Sequence, residues 1–389
     1  MSGITGPRTP RAGESEEVLR EREREELAIE AAEDEDHGLE INRRSVLTLG
    51  LFLLLSIAAL YFLLPQIAGL NDTWKRIEDG SPYWMIVAVL FGVGMFFGYV
   101  AMFRGIFLHA GTGRIDWRAS YQITMAGLAA SRIFAAGGAG GLVLTAWALR
   151  RSGMRKRLVA DKTLTFLILT YIPYMGALIV CGLGLRLGIF PGEAPFALTV
   201  VPAIIAVILT GIGVSTVLVP TDLQRRVEGF ARGHGQLGRW TQRLANLPAS
   251  ASAGMRDALQ HLRHPDPALA GAILFWACQV GVLWASFHAF GDAPPLAVLT
   301  QAFFVGMFGN LLPMPGGVGG VEGGMIAALA AFGVDAGQAV VAVLLFRAVT
   351  FWLPLIPGVI AYFQLRRTVE HWRAQDAAAA TASYTHYTK

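Results

Sequence analysis

The sequence predicts an all-α integral membrane protein with about six full transmembrane helices and two re-entrant helical hairpins arranged as an inverted repeat. Three observations support this fold class. Hydrophobic residues make up 54% of the 389 residues and charged residues only 15%, and the mean hydropathy is +0.48, which is typical of polytopic membrane proteins. Apolar runs of transmembrane length recur between arginine-rich loops. Two further apolar segments are interrupted by clusters of glycine.

The net charge of +4 conceals an uneven distribution of charge along the chain. Residues 1–44 carry 13 acidic and 7 basic residues, which leaves 15 acidic and 25 basic residues in the remainder. We interpret residues 1–44 as a solvated, disordered cytoplasmic arm, with a helix that docks onto a partner as the alternative. The basic surplus belongs to the membrane part, where it sets orientation, so we predict no interaction with nucleic acid.

Six apolar segments are long enough to cross ~30 Å of hydrocarbon as helices, which takes about 20 residues. Arginines flank alternate ends of these segments, and the positive-inside rule then places both termini of a multi-pass cell-membrane protein in the cytoplasm. The basic loop 220–267 is predicted to hold an amphipathic helix on anionic headgroups, or else to be an ordinary cytoplasmic loop. Residues 369–389 are a polar tail. The predicted spans are residues 45–64, 82–103, 158–187, 196–219, 268–290 and 338–363.

Glycine and proline concentrate in two apolar segments, residues 120–149 and 296–332. Both residue types end helices, and irregular backbone survives at membrane depth only where protein buries it or water reaches it. A basic cluster directly follows the first segment and stays cytoplasmic only if that segment enters and returns, so we predict re-entrant hairpins. The bend residues, which we also predict to approach a substrate, are Gly137, Gly138, Gly140 and Gly141 in the first segment and Pro313, Pro315, Gly316, Gly317, Gly319 and Gly320 in the second.

One constant offset along the chain, which places Gln122 on Gln301, aligns the two glycine-rich segments without gaps, and we call it the repeat offset. It also superposes the flanking spans, which defines two units, residues 82–187 and 268–365. The extra span 196–219 lies between them and forces the units into opposite orientations. Many secondary transporters are built on this plan and bind substrate where the interrupted segments meet near the midplane. A duplication retained only for packing is the alternative.

Glu322 and Arg347 are charged residues at predicted membrane depth. A lone arginine there costs at least ~2.5 kcal/mol, so we expect Arg347 to pair with Glu322 or with a ligand anion. The planar guanidinium suits a phosphate headgroup, whereas a buried ion pair that only locks the fold is the alternative. Arg132 precedes a bend whose free amides suit an anion, although it can also extend to the interface. Asn310 is placed to bond a freed carbonyl or a ligand.

No arrangement of residues in the sequence indicates an enzyme, a metal site or a cofactor. The glycine-rich runs lack the preceding strand and the following Gly-Lys-Ser/Thr of a nucleotide-binding loop. Cys181 and Cys278 both fall inside apolar segments, and we interpret them as small core residues. We therefore predict no catalytic residues.

Two motifs of the second half occur in order. The first runs from Pro313 to Glu322 in the pattern P-x-P-G-G-x-G-x-x-E, and the second runs from Arg347 through an aromatic residue to Pro354. In these motifs the chain resembles the lysylphosphatidylglycerol synthase transmembrane family, also called the flippase-like domain family, over roughly residues 45–368. The first glycine segment is a looser match, because members often have a proline and an acid where this chain has Ala135–Ala136 and Val143.

The resemblance implies a domain that moves or presents lipids, which are aminoacylated phospholipids in the best-known members. In those members a soluble synthase domain follows, whereas only a short tail follows here, so we expect no aminoacyl transfer. We hypothesise that the protein translocates an anionic lipid or lipid-linked sugar, with Arg347 and Arg132 at the headgroup and Glu322 balancing Arg347 or carrying a proton. The alternatives are a non-transporting partner of a lipid-modifying or glycosyl-transferring enzyme, and an ion-coupled solute carrier. An enzyme partner and a homo-oligomer both stay open.

Overall fold

A computed structural model describes residues 80–108, 113–133, 139–215, 252, 254–263, 266–311 and 317–387. All of them belong to one compact unit that runs from Leu49 to Lys389. Regular structure in the described ranges is helical throughout, without a strand, which confirms the all-α prediction. The predicted span 45–64, the arm 1–44 and most of the basic loop 220–267 with its predicted interfacial helix lie outside the described residues.

Ten α-helices are numbered here in chain order, and the described residues 254–263 form a further short helical stretch. A 3₁₀ turn, Met307–Leu311, continues α7, and a π-helical turn, Ala348–Trp352, joins α9 to α10. The helices are α1 Pro82–Phe107, α2 Trp117–Ile133, α3 Ala139–Arg151, α4 Lys156–Arg186, α5 Phe196–Ser215, α6 Pro267–Phe290, α7 Leu296–Gly306, α8 Gly320–Ala331, α9 Ala336–Arg347 and α10 Leu355–Tyr387.

Within the described ranges, five helical stretches are long and apolar enough to cross a membrane: α1, α4, α5, α6 and the continuous stretch Ala336–Ala379. They confirm the five predicted spans that fall on described residues. The last helix runs beyond the predicted span to Tyr387, through most of the polar tail. Arg114, in the loop before α2, donates two hydrogen bonds to Asp376 in this extension, at 3.0 and 2.5 Å. The Asp376 carboxylate thereby raises the pKa of Arg114.

The helices on either side of each glycine bend are too short to cross a membrane. α2 and α3 contain 17 and 13 residues, and α7 and α8 contain 11 and 12. Helices of these lengths rise only about 17–26 Å. α2 packs against α3, and α7 packs against α8. We refer to α2–α3 as the first hairpin and to α7–α8, with the 3₁₀ turn, as the second.

The two hairpins open at opposite ends of the molecule. α1 and α6 run antiparallel, since Trp84 at the start of α1 stacks on His288 at the end of α6 with ring centroids 4.6 Å apart. The first hairpin begins where α1 ends, because Arg104 lies 4.8 Å from the ring centroid of Trp117. The second hairpin ends where α6 ends, since Gln338, two residues into α9, donates to Asp292 O at 2.9 Å. The opposed arrangement predicted from the repeat is therefore present.

Each hairpin packs against the last span of the other unit. Thr368 of α10 donates to Gln122 Oε1 of α2 at 2.8 Å. Tyr174 of α4 donates to Phe304 O of α7 at 2.8 Å. The repeat offset carries α2 onto α7 and carries α4 onto α9 and the beginning of α10. The packing thus repeats together with the sequence, as expected for a pseudo-twofold arrangement.

The end of the molecule at which α2 and α4 begin and α3 ends is rich in arginine, and we call it the arginine-rich end. Residues 254–263 form a short helical stretch that is attached there. Lys162 pairs with Asp257 at 2.9 Å, and the Thr165 hydroxyl donates to the same carboxylate at 2.9 Å. His261 Nδ1 lies 2.8 Å from Asp266, which caps α6. The basic loop is thereby attached to the membrane helices at its C-terminal end.

Candidate functional site

A cavity of about 330 Å³ lies where the two hairpins approach each other. Phe96 and Phe275, midway along α1 and α6, form part of its wall, so the cavity lies near the middle of the membrane-spanning region. Arg132, Asn310 and Arg347 all line it. The fold therefore brings together three of the residues that the sequence singled out, and they come from both units.

The cavity lies on the pseudo-twofold axis. Equivalent positions of two oppositely oriented units meet only near their common axis, and four pairs of positions related by the repeat offset line this cavity. Substrate sites of inverted-repeat transporters lie at the corresponding place, the interface between the repeats. The pairs are Phe96 and Phe275, Leu128 and Met307, Ser131 and Asn310, and Tyr171 and Thr350.

Arg347 and Glu322 form a buried ion pair beside the cavity. Arg347 ends α9, and its Nε donates to Glu322 Oε1 at 2.6 Å, with the two side chains 8% and 7% exposed. The other carboxylate oxygen accepts the backbone N–H of Gly319 at 2.8 Å. Glu322 therefore caps the first turn of α8 and neutralises Arg347 at the same time. The pairing expected from their similar depth is present.

Arg132, at the end of α2, contacts the other unit and does not extend toward the interface. Its Nη1 donates to Phe351 O at 3.0 Å and its Nη2 to Thr350 O at 2.8 Å. In a regular helix Thr350 O would accept the N–H of residue 354, but Pro354 has none. The Thr350 carbonyl therefore lacks this helical donor. Arg132, from the other unit, donates to it and to the Phe351 carbonyl at the π-helical turn.

The ring of Phe351 contacts both arginines. Its centroid is 5.1 Å from Arg132 Cζ and 4.4 Å from Arg347 Cζ, so both guanidinium groups make cation–π contacts with one ring. Two positively charged side chains therefore line one cavity, and one of them, Arg347, is also paired with Glu322. Guanidinium groups bind oxyanions through paired hydrogen bonds, so the arrangement suits a phosphate or another anion.

The glycines of the two bends have different roles. Gly317 lines the cavity and has φ +67, and Gly319, the N-cap of α8, has φ +88, a conformation that favours glycine. Gly141 and Gly320 lie where the paired helices cross, and Gly140 lies in the first turn of α3. Five predicted bend residues, Gly137, Gly138, Pro313, Pro315 and Gly316, lie outside the described residues.

Sequence reasoning assigned no role to several residues of the cavity. It noted an aromatic residue after Arg347 but not that Phe351 contacts two arginines. It also missed Tyr171 and Gln279, which line the cavity from α4 and α6. The repeat offset was the available signal. It pairs Ser131 with Asn310 and Tyr171 with Thr350, and all four residues line the cavity.

A larger groove, of about 800 Å³, lies on the outer face of the second hairpin, between α5, α7 and α8. Its lining is almost entirely apolar, and exposed small residues of α8, Gly323, Ala327 and Ala331, leave backbone accessible along it. Gly319, which donates to Glu322, also lines the groove. The groove and the charged cavity therefore lie on two sides of the same bend.

Comparison with known proteins places these features in a family. A family model described as the lysylphosphatidylglycerol synthase TM region matches residues 47–358, which include both hairpins and all three charged residues of the site. A curated relative, a UPF0104 membrane protein of Methanothermobacter thermautotrophicus, is 30% identical over 91 residues. That alignment covers 23% of this chain and 27% of the relative, so the chain matches about a quarter of the relative's length.

Proposed function

Because this chain belongs to the lysylphosphatidylglycerol synthase transmembrane family, we propose that it translocates an anionic lipid or lipid-linked sugar between the leaflets of a cell membrane. The observation that carries the proposal is the pair of arginines from opposite units that share the Phe351 ring in a cavity on the pseudo-twofold axis. A site on this axis is equally related to both units, and therefore to both faces of the membrane.

The chemistry of the cavity favours an anionic headgroup. A charged group at the centre of a bilayer costs ~2.5–3.5 kcal/mol on insertion scales, so a phosphate crossing the membrane needs countercharge along its route. Arg347 and Arg132 supply that charge near the midplane. A phosphate that accepts from Arg347 competes with Glu322 for the same guanidinium, so ligand binding and the ion pair are coupled.

The outer groove supports a lipid over a small solute. A translocated lipid must keep its chains in an apolar environment while its headgroup crosses. The groove of about 800 Å³ offers apolar surface directly beside the bend that borders the cavity, and its volume is within the usual range of about 300–1,000 Å³ for ligand sites. A small-solute carrier has no need of such a surface.

We place the arginine-rich end in the cytoplasm, in accordance with the positive-inside rule. Described basic residues near that end include Arg118, Arg151 and Lys156, whereas Glu193 and Asp292 lie near the other end. In a variant that lacks Cys181 and Cys278, we expect Asp292→Cys to react with a membrane-impermeant maleimide on intact cells. Lys156→Cys should react only after permeabilisation. The opposite pattern would contradict the orientation.

Transport is tested with purified protein in liposomes that contain fluorescent phosphatidylglycerol. We expect the protein to accelerate movement of this lipid to the outer leaflet, and Arg132→Gln to slow it by about tenfold or more, because a hydrogen bond to a charged group contributes about 1.5–3 kcal/mol. The matched control is Arg186→Gln, which removes an exposed arginine at the end of α4.

Two results would overturn the proposal. One is movement no faster than in empty liposomes for phosphatidylglycerol, for other anionic phospholipids and for an isoprenyl-phosphate-linked sugar. The other is full activity of a folded Arg132→Gln protein. If transport is absent and an enzyme partner is lost from Arg347→Ala preparations, the chain acts as a non-transporting partner instead.

A further inference from the structure

A third cavity, of about 240 Å³, lies inside the first unit between α1, α2, α3 and α4. Leu128, Ser131 and Tyr171 line both this cavity and the central one, so the two spaces adjoin. From there the cavity extends along α2 and α4 toward Thr163 and along α1 to its last residue, Phe107. It therefore leads from the two arginines toward the arginine-rich end.

The wall of this passage is rich in hydroxyl groups, although it lies among membrane helices. The hydroxyl oxygen of Thr163 is buried and has no hydrogen-bond partner among the described residues. Buried polar atoms are ordinarily satisfied by protein or by ordered water, so this hydroxyl indicates a hydrated passage. The residues that carry the hydroxyls are Tyr99, Thr124, Ser131, Thr145, Thr163 and Tyr171.

The passage is not sealed between α3 and α4. Leu142 of α3 and Tyr171 of α4 both line it, and they are 41% and 48% exposed. A polar group inside the passage can therefore remain attached to an apolar chain that stays outside in the hydrocarbon. This geometry suits a lipid headgroup better than a free solute.

The equivalent space in the second unit is filled. The repeat offset carries Thr124 onto Phe303 and Thr163 onto Ala342, and both of these are fully buried at 0% exposure. Phe303 packs edge-on against Phe346, with ring centroids 5.7 Å apart. The two halves of one inverted repeat thus differ, since a cavity extends toward the arginine-rich end in the first unit and buried side chains occupy two of the equivalent positions in the second.

We propose that the hydroxyl-lined passage is the route by which a hydrated, anionic headgroup moves between the arginine-rich end and the two arginines. The described structure is then the state of an alternating-access cycle that is open to that end. Threonine and tyrosine hydroxyls both donate and accept, so they can replace the water around phosphate and sugar oxygens in turn. The inference rests on the proposed function for its ligand but not for the passage itself.

Thiol accessibility tests the passage in a protein in which Cys181 and Cys278 are replaced by alanine. Thr163→Cys is compared with its repeat equivalent Ala342→Cys, using a charged, membrane-impermeant thiosulfonate added at the arginine-rich end of liposome-reconstituted protein. A thiol reacts as the thiolate, which water favours and apolar burial suppresses. We expect Thr163→Cys to react at least about tenfold faster than Ala342→Cys. The pair Thr124→Cys and Phe303→Cys repeats the comparison at a second position.

The outcomes separate this proposal from the proposed function. Equal rates within both pairs would overturn the passage, whatever the transport assay shows. Fast reaction at Thr163→Cys that short-chain phosphatidylglycerol slows, and that short-chain phosphatidylcholine does not, supports the passage and its anionic ligand. Fast reaction that neither lipid slows would overturn the assignment of the passage to a headgroup.

Discussion

Arg347→Ala is expected to lower the free energy of unfolding by about 3–5 kcal/mol, because it leaves a buried carboxylate without its partner. Glu322 is 7% exposed, and after the substitution the Gly319 N–H would be its one remaining hydrogen-bond partner among the described residues. The midpoint of unfolding in mild detergent measures the change. Arg186→Ala, at an exposed helix end, is the control and should change the free energy by less than about 1 kcal/mol.

A double variant separates the contribution of the two charges to stability from the contribution of the volume that their side chains fill. Glu322→Gln with Arg347→Met removes both charges and keeps an acceptor for Gly319, and uncharged replacements of similar volume are often neutral or stabilising. We expect it to recover most of the stability that Arg347→Ala loses. Recovery of stability without transport would assign the pair to headgroup binding, whereas recovery of both would make it a structural lock. A stable Arg347→Ala protein would contradict the account.

The parts of this fold that sequence could predict are those fixed by local chemistry. Proline and glycine break helices wherever they occur in apolar runs, so the second bend was visible as a stretch of residues that cannot continue a helix. A buried charge needs a partner, so Arg347 and Glu322 were expected to meet. The repeat then related the two bends and gave their opposed orientation without any knowledge of contacts.

The parts that could not be predicted depend on contacts between distant residues. Arg132 binds carbonyls of the other unit, far away in the chain, and the one local signal was Pro354, which leaves the Thr350 carbonyl without a helical donor. The hydroxyl passage was equally hidden. Thr124 donates to Ser120 O of its own helix at 2.7 Å, as threonines in apolar helices commonly do, so its sequence context gives no sign of a cavity.

The second hairpin depends on close backbone contact at Gly309, and Gly309→Ala tests it. A Cβ built on Gly309 would lie 2.1 Å from Gly320 O and 2.6 Å from Val321 N. Both atoms belong to backbone and cannot rotate away, so the 3₁₀ turn and α8 would have to separate. Overpacking usually costs about 1–3 kcal/mol when side chains can adjust, so we expect a loss of about 3 kcal/mol or more here, or a failure to fold.

Gly323→Ala in the same hairpin is the matched control, because a Cβ there would meet no heavy atom within 4 Å. Alanine has the higher helix propensity by about 1 kcal/mol, so we expect unchanged or slightly raised stability. Yield and the midpoint of thermal unfolding measure both variants.

Because Asn310 and Gly317 flank the same contact and line the central cavity, any Gly309→Ala protein that folds should also show weaker transport. Equal yields and equal unfolding midpoints of the two variants would mean that the 3₁₀ turn and α8 are not in close contact at Gly309. The described packing beside the charged cavity would then be wrong.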